Sequence, residues 1–316
     1  MKIVTTAKIR RDLREDLVAS FPNVTFSFNT SIEEAEQELS TADAIITYGE
    51  DLTDKHIKQA KQLKWIMVIS AGMEKMPFNA IEEKDILVTN ARGIHATPMA
   101  EYTLAMMLQV SRQTKGIIKQ EQDEVWSRKL TMTELNGKTV GILGAGAIGS
   151  EVARLSKAFG MTTIGLNRSG ESRSYFDTIV TYDECNKLLS QSDYVVSVLP
   201  HTKETDGLLT GESFKTMKKD AVFINIGRGT VTREEILIDA LNNNEIAHAV
   251  LDVFETEPLP KGHPFWKRED VTVTPHLSGI SPEYQPRAIG IFKTNLKVYL
   301  NKGTNYQNKV DPARGY

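Results

Sequence analysis

The sequence predicts an α/β protein built on parallel sheets and divided into more than one unit. Three observations carry this reading. Short apolar runs alternate with amphipathic stretches of about ten residues along most of the chain, the signature of βαβ units. A glycine-rich turn, Gly144-Ala145-Gly146-Ala147-Ile148-Gly149, joins one such run to a helical segment. A chain of 316 residues is also long for one hydrophobic core and comfortable for two.

Taken in order, Lys2–Thr5 reads as a strand and Asp12–Ser20 as a helix. Val24–Phe28 alternates like a strand, and Ser31 is placed to cap the helix that follows. Ala44–Thr47, Trp65–Ile69 and Ile86–Thr89 are apolar enough for buried strands, with a charged helix at Asp54–Lys61 between them. Residues 1–98 are therefore expected to form a first, small α/β unit. Open α/β sheets bind ligands at the carboxyl ends of their strands. Two loops there stand out: Tyr48-Gly49, and Ser70-Ala71-Gly72-Met73, whose small residues would let backbone N–H groups face an anion.

Pro98–Gly116 predicts a strongly apolar helix buried between domains, with Met99, Tyr102, Leu104, Met107, Leu108 and Val110 packed. Lys119–Leu135 is polar and reads as a connecting arm whose Trp126 would pack on a partner subunit. Strands are expected at 139–143, 162–166, 193–198, 221–225, 247–251 and 271–274, the six that two mononucleotide-binding halves provide. They fall in a second unit, 99–283. A final segment, 284–316, carries the helix Arg287–Leu300, which is free to return to the first unit.

The glycine turn has a specific chemistry. Val140, Ile142 and Leu143 make the buried strand before it, and Ala147–Phe159 the helix after it. Gly144 permits the tight turn, Gly146 lets backbone approach a pyrophosphate, and Gly149 lets helix pack on strand. The opening residues Ala147 and Ile148 bring unpaired N–H groups and a partial positive charge to the phosphates. An NAD-type site places Asp or Glu about 20 residues further on, at the ribose 2′-hydroxyl. This chain has Asn167-Arg168-Ser169 there. A guanidinium grips a 2′-phosphate that a carboxylate would repel, and a serine hydroxyl adds to it. NADP(H) is expected in preference to NAD(H).

Bulk properties exclude other classes. With 40% hydrophobic and 25% charged residues the composition is that of a soluble globular protein. A net charge of −3 carries no basic excess, against a nucleic-acid partner. Cys185 is the one cysteine, so no internal disulfide or cysteine metal cluster forms, and no metal is expected. Met1–Arg11 becomes charged too soon for a signal-peptide core, and no apolar run approaches the roughly 18 residues of a membrane span. The expectation is a cytoplasmic protein without a membrane partner.

Three strand-end loops concentrate reactive groups. In Asn225-Ile226-Gly227-Arg228-Gly229-Thr230 an arginine is held between glycines, suited to bidentate capture of a carboxylate. Leu251–Pro258 carries Asp252 and Glu257, and Val273–Gly279 carries His276. A buried carboxylate beside a histidine favours the charged ring. An imidazolium can protonate a carbonyl oxygen as hydride reaches the carbon, while arginine aims the substrate.

The ordered set Gly144–Gly149, Asn225–Thr230, Leu251–Pro260 and Thr274–Gly279 resembles the D-isomer-specific 2-hydroxyacid dehydrogenases. The strand end Asn167-Arg168-Ser169 resembles the NADPH-using glyoxylate and hydroxypyruvate reductases among them. The resemblance implies a Rossmann nucleotide-binding domain inserted in a flavodoxin-like substrate domain, and a homodimer formed through the nucleotide domain. It implies that Arg228 binds the substrate carboxylate, His276 is the acid/base and Glu257 tunes it. Tyr48, Ser70, Ala71 and Gly72 match the substrate-facing loops, and Asp252 a contact to the nicotinamide amide. Leu199, Pro200 and Thr205 match the adenosine border, and Ile226, Gly227, Arg228, His276, Ser278 and Gly279 complete the cofactor set. Met99 departs from the valine usual in the hinge.

The implied activity is NAD(P)H-dependent reduction of a small 2-oxo acid to the D-2-hydroxy acid. Glu257, where formate dehydrogenases carry glutamine, disfavours formate oxidation. A glycine turn at residue 144 rather than near the N-terminus disfavours an L-lactate dehydrogenase. Two alternatives remain: a dinucleotide-sensing corepressor or scaffold of the same fold, and a dehydrogenase for a larger or phosphorylated acid. The first is disfavoured by the lack of long charged tails. Against the second, Tyr48, Met73 and Met76 add bulk without a second cation.

Overall fold

The computed structural model describes residues 1–70, 72, 73 and 75–312. The chain forms two compact units, Met1–Ile94 with Ser281–Tyr316, and His95–Ile280. In the first, β1 (Lys2–Thr5), β2 (Thr25–Phe28), β3 (Ala44–Thr47), β4 (Trp65–Val68) and β5 (Leu87–Asn90) make one parallel sheet in the order β2-β1-β3-β4-β5. That is the flavodoxin-like order. β3 and β4 are buried at every residue, which is why both read as unbroken apolar runs. The cap at Ser31 forms, with its hydroxyl accepting from Glu34 N–H.

Trp65 anchors this unit. Its ring is fully buried and stacks on Phe292 and Tyr299 of the helix Tyr284–Leu300, at centroid distances of 5.1 and 5.6 Å. Its Nε1 donates to Thr89 Oγ1 at 2.9 Å, so the polar end of the indole is satisfied. Trp65→Ala should therefore destabilise the protein by about 3–5 kcal/mol, the range for deleting a buried indole. Denaturant unfolding followed by circular dichroism measures it, and a loss of less than about 1 kcal/mol would show that Trp65 is not the anchor.

The second unit holds a seven-stranded parallel sheet: β6 (Thr139–Leu143), β7 (Thr162–Leu166), β8 (Thr178–Val180), β9 (Tyr194–Ser197), β10 (Val222–Asn225), β11 (His248–Leu251) and β12 (Val271–Val273). Its order is β12-β11-β10-β9-β6-β7-β8, a doubly wound Rossmann sheet extended by one strand. Six strands were expected, and β8 is the one the sequence reading lacks. It has three residues at the sheet edge, only Val180 is buried, and so it leaves no apolar run to detect. The order reverses between β6 and β9, which puts the glycine turn at the switch point where such sheets bind ligands.

The single helix expected at Pro98–Gly116 is a correction. The apolar helix is Ala96–Ser111, Gln113 takes a left-handed φ of +54°, and a second helix runs Thr114–Gln122. The apolar spacing stops at Val110, so beyond it no buried face holds the helix direction. The second helix, which runs on into the Lys119–Leu135 segment assigned to an arm, has no buried residue. The first packs Ala100, Leu104 and Met107 with Val152 and Ala153 of the helix Ala147–Ala158. Among the described residues no helix is long and apolar enough to cross a membrane.

Candidate active site

The nucleotide turn is built as its glycines require. Gly144 has φ +111°, and its N–H and that of Ala145 both donate to Leu166 O, tying the turn to β7. A Cβ on Gly149 would stand 2.1 Å from Gly144 O, so only glycine lets the helix Ala147–Ala158 approach β6 this closely. A Cβ on Gly146 would meet nothing within 4 Å. The space a methyl would fill there lies at the helix N-terminus, where the amides from Ala147 onward lead the dipole. These residues fit a pyrophosphate.

Beyond β7, Asn167 closes a turn: Oδ1 accepts from Gly170 N–H at 2.7 Å and Nδ2 donates to Glu171 O at 2.9 Å. Ser169 Oγ accepts from Glu171 N–H at 3.3 Å. The Arg168 side chain is 66% exposed, with Nη2 4.0 Å from Glu204 Oε2. The loop after β9 is held by Thr205, whose hydroxyl donates to Pro200 O at 2.6 Å, while Leu199 is buried.

β10, β11 and β12 are successive neighbours, and their carboxyl ends carry the Arg228, Glu257 and His276 loops. The glycines around Arg228 are explained by packing. A Cβ on Gly227 would be 2.6 Å from Leu199 O, and one on Gly229 2.0 Å from the Phe254 carbonyl carbon. The arginine loop is thus pressed between the loops after β9 and β11. Asn225 fastens it, donating from Nδ2 to Arg228 O at 2.9 Å and accepting Gly227 N–H at 3.2 Å.

His276 Nδ1 lies 2.7 Å from Glu257 Oε2, and Glu257 Oε1 accepts Phe254 N–H at 3.0 Å. The carboxylate is not buried, as the sequence reading supposed: the side chains are 52% exposed for His276 and 35% for Glu257. It sits at a loop surface. His276 itself has φ +51°, a left-handed conformation costing about 1–2 kcal/mol for a non-glycine residue. Asp252 compensates. Fully buried, its carboxylate accepts Thr274 Oγ1–H, Leu277 N–H and Ser278 N–H, and its carbonyl accepts His276 N–H.

Residues 104–278, more than half of the chain, match the family described as D-isomer specific 2-hydroxyacid dehydrogenase, NAD binding domain. The chain belongs to the D-isomer-specific 2-hydroxyacid dehydrogenases. A glyoxylate reductase of Aeropyrum pernix is 34% identical over 86% of this chain and 82% of its own length. A D-3-phosphoglycerate dehydrogenase of Archaeoglobus fulgidus is 30% identical over 98% of this chain. The chain spans only 59% of that relative's length. Among solved structures, an NADPH-dependent glyoxylate/hydroxypyruvate reductase of Sinorhizobium meliloti, in complex with NADP and sulfate, is similar at a TM-score of 0.82. It is 25% identical, and the match covers 100% of this chain and 99% of that one.

Of the other residues that the family resemblance points to, Tyr48, Ser70 and Gly72 lie in the first unit, after β3 and β4, and Ser278 and Gly279 in the second. Tyr48 is 36% exposed and its hydroxyl accepts from Gln285 Nε2 at 2.9 Å. Ser70 Oγ is 2.8 Å from both Tyr48 O and Gly72 O, so the two loops are joined. Ala71 lies outside the described residues. Gly279 O is 3.4 Å from His95 Nδ1, beside the buried Ser278. Among the described residues no cluster of metal-ligating side chains occurs. Two residues bonded beside the His276 loop were not singled out by sequence reasoning, Tyr102 and Thr274, whose hydroxyls lie 2.7 Å apart. Thr274 stands two places before His276, and Tyr102 was counted only among the apolar positions of its helix.

Proposed function

We propose that the protein reduces a small 2-oxo acid to the D-2-hydroxy acid with a nicotinamide dinucleotide, NADPH in preference to NADH. The observation that carries this reading is the 2.7 Å His276–Glu257 hydrogen bond at the carboxyl edge of a Rossmann sheet. With Nδ1 committed to Glu257, Nε2 is the nitrogen that gives a proton to the substrate's carbonyl oxygen. Glu257 orients the ring through Nδ1, and Arg228 holds the substrate carboxylate through paired N–H donors. Gly144, Gly146 and the amides from Ala147 hold the pyrophosphate, with Leu199, Pro200 and Thr205 bordering the adenosine. The nicotinamide, when bound, supplies the hydride.

Arg168 and Ser169 in place of an acidic strand end support the NADPH preference, as does the similar reductase bound to NADP. A second reading, a phosphorylated 2-hydroxy acid, is supported by the phosphoglycerate dehydrogenase relative. A homodimer accords with Trp126, 92% exposed. The test is steady-state turnover of glyoxylate, hydroxypyruvate and phosphohydroxypyruvate with NADPH and with NADH. Arg168→Ala should cut kcat/KM for NADPH by roughly tenfold, the loss of one charge-assisted phosphate contact, and leave NADH unaffected. Equal use of both cofactors by the unaltered protein would end the NADPH preference. Absence of turnover with every acid would leave the corepressor or scaffold reading.

A further inference from the structure

The helix Ala96–Ser111 packs against the nucleotide helix, yet one of its side chains reaches the histidine loop. Tyr102 OH is 2.7 Å from Thr274 Oγ1, which is 2.5 Å from Asp252 Oδ1. Counting protons sets the direction of this chain. Asp252 accepts the Leu277 and Ser278 N–H groups, and the Thr274 hydroxyl donates to its Oδ1. Thr274 therefore directs its single hydroxyl proton to Asp252, and Tyr102 must be the donor to Thr274. Burial pushes the Tyr102 hydroxyl up to about 12, so it keeps its proton across the physiological range.

We propose that Tyr102 is a positioning residue for His276, acting through Thr274 and Asp252. This rests on the reading of His276 as proton donor. Asp252 holds the loop on both sides of His276, from Thr274 before it and from Leu277 and Ser278 after it. Between those anchors His276 keeps its left-handed φ of +51°. Without the Tyr102 proton the Thr274 hydroxyl loses the partner that orients it, and one of the three donors to Asp252 is loosened. The loop then relaxes toward ordinary backbone geometry, and the ring leaves the position in which Glu257 holds it.

Three variants separate hydroxyl from shape: Tyr102→Phe, Thr274→Val and Thr274→Ser. The first two should speed amide hydrogen exchange at Leu277 and Ser278 by roughly tenfold, as expected when a buried hydrogen-bond chain is cut. They should also lower kcat by about tenfold with substrate KM and NADPH affinity unchanged, the pattern of a lost transition-state interaction. Thr274→Ser, which retains the hydroxyl, should stay near the unaltered protein in both readouts. Unchanged exchange, or unchanged kcat, in a folded Tyr102→Phe protein overturns the proposal. Should the unaltered protein reduce no 2-oxo acid while exchange still responds, the link from Tyr102 to the loop stands and the assigned reaction falls.

Discussion

His276→Ala is expected to lower kcat for 2-oxo acid reduction by about 10²–10⁴-fold, the contribution of one positioned general acid. NADPH affinity should not change, because the turn proposed to hold the pyrophosphate follows β6 whereas His276 follows the edge strand β12. The loss is that large because the ring is prepared on two sides. Glu257 takes Nδ1 at 2.7 Å and is itself held by Phe254 N–H at 3.0 Å, which fixes the ring plane and the tautomer. Glu257→Gln keeps the shape but removes the carboxylate that accepts at Nδ1, so it should fall between the unaltered protein and His276→Ala. Steady-state kinetics with a parallel fluorescence titration of NADPH measures both quantities. A His276→Ala protein with near-normal kcat would remove the histidine from the reaction.

The parts of this site that were readable in the sequence are those whose chemistry is local. Arg228 between two glycines, the Gly144–Gly149 turn and the short spacing from Asp252 to Glu257 each declare themselves within about ten residues of chain. Strands β3, β4, β6 and β10 were readable because burial on both faces demands an unbroken apolar run. What escaped depends on contacts far apart in sequence. The Tyr102 hydroxyl meets Thr274 across 172 positions, and no periodicity distinguishes it from the packed residues around it. Strand β8 is β-branched throughout, Thr178-Ile179-Val180, but three residues with one buried make too short a run to stand out without β7 beside it. The break at Gln113 likewise follows from the end of a buried face rather than from a proline or glycine.

Gly146→Ala and Gly149→Ala should fail in opposite ways, three residues apart on one turn. At Gly149 the added Cβ would lie 2.1 Å from Gly144 O and 3.0 Å from Ile142 Cγ2, and both neighbours belong to the strand and turn themselves. Neither can move aside like the end of a flexible side chain, so the helix must retreat from β6. Forced overpacking of this kind costs about 1–3 kcal/mol, occasionally more. In a unit of this size each kcal/mol lowers Tm by roughly 2–4 °C. At Gly146 the backbone has φ −87°, which alanine adopts without strain, and the methyl meets no protein atom within 4 Å. Stability and Tm should therefore be retained. The methyl would occupy the space proposed for the pyrophosphate, and NADPH affinity should fall by tenfold or more, about 1.4 kcal/mol. Calorimetry gives the first quantity and fluorescence titration the second. If Gly146→Ala bound NADPH normally, the phosphates would not approach this turn, and the cofactor would have to be held elsewhere in the unit. If Gly149→Ala kept its Tm, the close packing of helix on strand would not be what positions the turn. The two glycines thus divide one motif into a folding requirement and a binding requirement, each with its own measurement.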